Sequence, residues 1–217
     1  MKHLTAYGDS IVAGYGAPLG HGFVPQLATL LAQKRKSVAL PFFNLGQSGM
    51  TTFALQSALI YNEAFAESLV DAASICLLIG GDDLIDDLPI LLSQNEKEIE
   101  LALTSSKFEY MKTLIEMKKR TTTPIAVGTI YNPYPATDLA ETVVRLYNDL
   151  VVIPSAHAVG ALIAPIYSAF SGKQPILIEG YSGGIAGKPG RQGVTFPIHP
   201  NARGHQVIAE VFASVLP

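Results

Sequence analysis

Five short apolar runs, at 3–7, 38–45, 74–79, 124–130 and 158–164, do most to restrict what this chain can fold into. They are rich in Val, Ile, Leu and Ala. Several are continuous rather than alternating, as strands covered on both faces must be. Helical patterns lie between and after them, at 23–35, 52–68, 97–120, 138–153 and 201–215. A strand–helix unit repeated in this way predicts an α/β fold, a three-layer α/β/α sandwich around a five-stranded, mostly parallel sheet. Right-handed crossovers leave few topologies, and 2-1-3-4-5 is the natural strand order. The 217 residues suit one domain spanning 1–217, and no linker or internal repeat divides them. Residues 171–198 break the alternation. They are rich in Gly and Pro, and a loop of this length inside a domain is usually functional. Ile176–Ile178 reads as a small extra strand within it, and 180–193 as a mobile flap.

Composition narrows the function. With 48% hydrophobic and 15% charged residues the chain is globular. A net charge of −3 leaves no basic face for nucleic acid. Lys34-Arg35-Lys36 and Lys118-Lys119-Arg120 sit at helix ends, where they complement the helix dipole. Cys76, the single cysteine, lies inside an apolar run and reads as a core residue. Residues 150–170 lack Asp, Glu, Lys and Arg, but Pro154, His157, Gly160 and Pro165 interrupt them, so no membrane span is expected. The first residues, MKHLTAYGDS, contain no long apolar stretch, so no signal peptide is expected and a cytoplasmic location is the simpler reading. His3, His21 and His157 have no Cys, Asp or Glu at ligand spacing, so neither a metal nor a cofactor is expected.

In an open parallel sheet, ligands bind at the carboxyl ends of the strands. Gly8-Asp9-Ser10 follows the first strand and Asn44-Leu45-Gly46-Gln47-Ser48-Gly49 the second. Gly80-Gly81-Asp82-Asp83 follows the third and Tyr131-Asn132-Pro133 the fourth. His199-Pro200-Asn201-Ala202-Arg203-Gly204-His205 opens the last helix. A serine, glycine turns with free N–H groups and a histidine on one edge are the inventory for acyl transfer. These blocks, in this order, resemble the GDSL, or SGNH, family of esterases and lipases, from Gly8 to His205. The resemblance implies a flavodoxin-like SGNH hydrolase fold and a serine hydrolase acting on a small-molecule carboxylic ester. Ser10 is similar to the family nucleophile, and His199 would be its general base. The backbone N–H groups of Ser10 and Gly46 would face the oxyanion, and the start of the following helix would favour the developing charge. Tyr131, Tyr134, Phe53 and Leu84 lie just past strand ends and are candidates for an acyl site, for which a small acyl group is expected. His205 falls on another face of the last helix and reads as structural.

Two positions depart from the family pattern. The third block carries an oxyanion-donating asparagine in the family, and Asp82 stands there. A carboxylate donates nothing unless it is protonated in a desolvated site. Three residues before His199, where the family has an aspartate, stands Phe196. The orienting acid would then come from elsewhere, with Asp83 and Glu179 as candidates, or a backbone carbonyl near Phe196 would hold the ring. Asp82 itself, close to His199, is a third option. Two alternatives remain open at this point. One is a diverged, weak or inactive binding protein of the same family. The other, a nucleotide or phosphate binder, lacks both the P-loop lysine and the G-x-G-x-x-G spacing.

Overall fold

The apolar runs become five parallel strands in the computed structural model, which describes residues 2–91, 95–191, 194 and 196–217. They are β1 (His3–Gly8), β2 (Phe42–Gly46), β3 (Ala72–Leu78), β4 (Ile125–Gly128) and β5 (Leu162–Ala164), in the order β2-β1-β3-β4-β5. That is the expected 2-1-3-4-5. The helices are α1 (Ser10–Ala13), α2 (Phe23–Lys34), α3 (Thr52–Tyr61), α4 (Glu63–Glu67), α5 (Gly81–Asp86), α6 (Leu88–Leu91), α7 (Glu96–Lys118), α8 (Asp138–Tyr147), α9 (Ile153–Ala158), α10 (Ile166–Phe170), α11 (Gln174–Leu177) and α12 (Ala202–Val215). Among the described residues no helix is long and apolar enough to cross a membrane.

The continuous apolar runs serve two cores. Tyr7, Ile75, Leu77, Ile125 and Val127 point to one face and pack with Leu55, Leu59, Tyr110, Leu114 and Tyr147. Leu4, Ala6, Cys76, Leu78, Ala126 and Ala164 point to the other, under Phe23, Leu27, Ile208 and Phe212. Small residues cross the second face in register, Ala6 beside Cys76 and Cys76 beside Ala126. They leave room for the large side chains of α2 and α12, and the Phe23 and Phe212 rings stack with centroids 5.6 Å apart. Each fully buried side chain of this size stabilises the fold by about 1.5–3 kcal/mol.

The boundaries differ from the sequence reading for local reasons. The helix expected over 52–68 breaks at Asn62, which ends α3 and caps α4 through a bond from Ala64 N–H to its Oδ1. The helix expected over 138–153 runs on through a π-helical turn, Asn148–Val152, into α9, so β5 is short. Pro154 stands at the junction of the π-helical turn and α9. β2 begins only at Phe42, where its pairing with Leu4 of β1 starts. Helices α5 and α6 meet at Asp87, which accepts a bond from Ser106 Oγ at 2.9 Å. Ile176 and Leu177 belong to α11 rather than to a strand, and Ile178 makes a single antiparallel bridge to Pro200. Positions 192 and 193 of the expected flap lie outside the described residues.

Candidate active site

Strand β1 delivers Ser10 to the carboxyl edge of the sheet, where it becomes the first residue of α1. Asp9 turns the chain by accepting the Ile11 N–H on its Oδ1 at 2.9 Å. As α1 is a single turn of 4 residues, it offers N–H groups rather than a sizeable dipole. The Ser10 N–H is one of those that no helical bond uses. Across 189 residues of sequence, His199 Nε2 meets Ser10 Oγ at 2.9 Å. Burial holds the His199 pKa below its ordinary value, so the ring is neutral and basic at neutral pH.

Backbone and packing contacts position His199. The Tyr131 hydroxyl donates to the carbonyl of Ile198 at 2.5 Å, and the Glu179 N–H donates to the carbonyl of His199 at 2.9 Å. Tyr131 is itself fixed by stacking on Phe170, with centroids 4.3 Å apart. The Tyr15 ring lies 5.6 Å from that of His199. Behind it, a Cβ on Gly16 would come within 2.8 Å of His199 Cβ and 2.3 Å of the Pro200 carbonyl oxygen, so only glycine allows this approach. His205 holds the same turn. Its Nδ1 accepts the Phe23 N–H at 3.2 Å, so its Nε2 carries the proton and donates to the Tyr15 carbonyl at 2.8 Å.

The proposed orienting acids are elsewhere. Asp83 accepts both the N–H and the hydroxyl of Thr52, which ties α5 to α3. Glu179 meets His199 through the backbone bond just described. The Phe196 carbonyl accepts the Ile198 N–H, and the Phe196 ring is exposed. Among the described residues, the His199 ring has one hydrogen-bond partner, Ser10 Oγ.

Gly46 also needs correction. Its N–H donates to Asn44 Oδ1 at 3.0 Å, so it is not free for an oxyanion. Its lack of a Cβ serves packing, since one would come within 2.2 Å of the Ala13 nitrogen. The loop beyond it is pinned at one end by the bond from Gln47 N–H to the Gly8 carbonyl, and at the other by Thr52 on Asp83. Between these pins lies Gly49, whose N–H donates to no acceptor among the described residues. Gly49 is the second glycine of the NLGQSG block.

Three carboxyl groups crowd the start of α5. Asp9 is buried, and desolvation, helped by Asp82 and Asp83, pushes its pKa up to about 7. Asp82 is half-buried and shifted up by burial and by the charges of Asp83 and Asp86. Asp82, Ser10 and His199 all line one cavity of about 310 Å³, together with Leu84, Tyr131 and Tyr134. Phe53 does not. It is 62% exposed on α3 and lines a separate groove with Asp83, Asp86, Asp87 and Glu109. No group of three or more His, Cys, Asp or Glu among the described residues is arranged to hold a metal ion.

The same architecture occurs in known proteins. A lipase from goat rumen metagenome superposes with a TM-score of 0.74 at 21% identity, covering 99% of this chain and 97% of its own. An acetylxylan esterase from Geobacillus stearothermophilus gives 0.69 at 19%, covering 98% and 93%. In sequence, the spore germination lipase LipC of Bacillus licheniformis is 24% identical over 216 residues, 95% of this chain and 92% of its own. The model of the GDSL-like Lipase/Acylhydrolase family matches residues 6–207, a span that takes in both Ser10 and His199. By that match, and by the sheet order that brings the two residues together, this chain belongs to the GDSL-like Lipase/Acylhydrolase family.

Proposed function

We propose that this protein hydrolyses carboxylic esters through an acyl-enzyme on Ser10. The observation that carries the reading is the 2.9 Å approach of His199 Nε2 to Ser10 Oγ. The neutral His199 ring takes the Ser10 proton as Oγ bonds to the ester carbonyl carbon, and the carbonyl oxygen becomes an oxyanion. Collapse breaks the bond to the alkoxy oxygen, and His199 returns the proton to the departing alcohol. Water, deprotonated by the same ring, then releases the acid.

The backbone N–H groups of Ser10 and Gly49 are the oxyanion donors of this scheme. Asp82 serves as a third donor only in its protonated form, which its raised pKa favours. With backbone contacts in place of a carboxylate, the pair works as a dyad. A backbone-held ring stabilises the imidazolium less than a carboxylate does, which suits activated or otherwise easy esters.

Intact mass after treatment with a fluorophosphonate tests the reading. One adduct is expected on the wild type and none on Ser10→Ala. No adduct on either, while a known serine hydrolase is labelled, would overturn it and favour a binding role for the same cavity.

A further inference from the structure

We infer that the cavity beside Ser10 is a subsite for an aliphatic acyl chain of intermediate length, and that it selects against acetylated sugars. This assignment rests on the Ser10–His199 reading above. The walls are Leu84, Ile85 and Leu88 from α5 and α6, facing Leu139, Val143 and Val144 from α8. The volume of about 310 Å³ holds roughly ten water-sized groups at ~30 Å³ each. An acetyl group would leave most of it unfilled, so this assignment departs from the small acyl group expected from sequence.

Much of the polar lining is already engaged. Tyr131 donates to the Ile198 carbonyl. Asn132 donates to Glu141 at 2.8 Å and accepts the Tyr134 N–H at 2.8 Å. The Thr137 hydroxyl accepts the Ala186 N–H at 2.9 Å. Asp9 accepts the Ile11 N–H. Besides Ser10 and His199, this leaves Asp82, the Tyr134 hydroxyl, the Thr137 hydroxyl proton and the second oxygen of Asp9, too few for the several hydroxyl groups of a sugar. A sugar brings several hydroxyl groups, and each one desolvated without a partner is penalised. An alkyl chain asks for none of these groups and gains from every apolar wall.

The acyl part of the ester, rather than the alcohol, occupies the cavity. His199 also lines the cavity, at the side where the exposed Tyr15 flanks its ring, and the alcohol leaves there.

The test uses two ester series. In one, p-nitrophenyl esters run from acetate to dodecanoate. In the other, alkyl acetates vary the alcohol. The kcat/KM should rise with acyl length by about fourfold per methylene, from the ~0.8 kcal/mol that a buried methylene is worth, and level off near ~8–10 carbons. It should not rise with alcohol length. Ala140→Phe and, independently, Leu88→Trp should lower the octanoate-to-acetate ratio by about tenfold. A ratio that stays flat with acyl length, a gain that follows the alcohol instead, or faster turnover of acetyl-xylose than of octanoate would overturn the assignment. Should fluorophosphonate leave Ser10 unlabelled, catalysis fails separately, and octanamide decides the subsite. A thermal upshift in the wild type that Ala140→Phe abolishes supports it, and no upshift overturns it.

Discussion

Replacing Asp9 by Asn should make the protein more stable at pH 8 and change little at acid pH. Asp9 is 3% exposed, and its pKa stands at about 7 against an ordinary 3.8. The folded state therefore binds its proton more tightly than the unfolded chain does. Stability from this group is complete below the unfolded pKa, falls as pH rises from about 4 to about 7, and is level above that. Each tenfold difference in proton affinity is worth about 1.4 kcal/mol, so the ionised carboxylate costs the fold about 4 kcal/mol at pH 8. Asn keeps an oxygen for the Ile11 N–H and never ionises. It also relieves the repulsion that Asp9 shares with Asp82 and Asp83. For a chain of this size, 4 kcal/mol corresponds to a rise of roughly 10 °C in Tm. Thermal melts of both proteins at half-unit steps from pH 4.5 to pH 8.5 are the assay, read as the difference between the two curves. The difference should be near zero at the acid end and widen through pH 7. Parallel curves, or a variant less stable at pH 8, would refute the reasoning that burial outweighs the bond from Ile11.

Other outcomes can be read from activity. The kcat/KM should climb with pH through a midpoint below the ordinary histidine value near 6.5, because burial holds His199 down; a midpoint above 7 would mean that a carboxylate faces the ring after all. Asp82→Asn should abolish a decline in kcat at alkaline pH and raise kcat there by up to ~10²-fold, the scale of one oxyanion donor; an unchanged profile would remove Asp82 from the site. Tyr131→Phe, which deletes the bond to the Ile198 carbonyl, should lower kcat by about three- to tenfold with little change in KM, as loss of one hydrogen bond allows. Gly16→Ala should fold yet lose most activity, because its Cβ would displace His199, and full activity would contradict the observed packing.

Much of this molecule follows from local sequence. Continuous apolar runs such as those of β1, β3 and β4 specify strands buried on both sides. Their alternation with helices leaves essentially one strand order, and that order sets Ser10 and the His199 loop at one edge. Other features depend on contacts between residues far apart in the chain. Gly46 and Gly49 look equivalent in NLGQSG, and Asn44 decides between them by taking the N–H of the first. Asp83 looks like a spare catalytic acid, but Thr52, across a helix junction, captures it. Phe53 and Leu84 both follow strands, yet the turn of α3 sends Phe53 to another groove while α5 places Leu84 in the cavity that Ser10 also lines. The raised pKa of Asp9 is likewise a tertiary effect. The sequence contains the carboxyl groups, and packing removes the water and sets them side by side. Periodicity is a property of a segment, so it can be read along the chain. Desolvation and hydrogen-bond competition depend on which segments meet, and only the folded arrangement determines that.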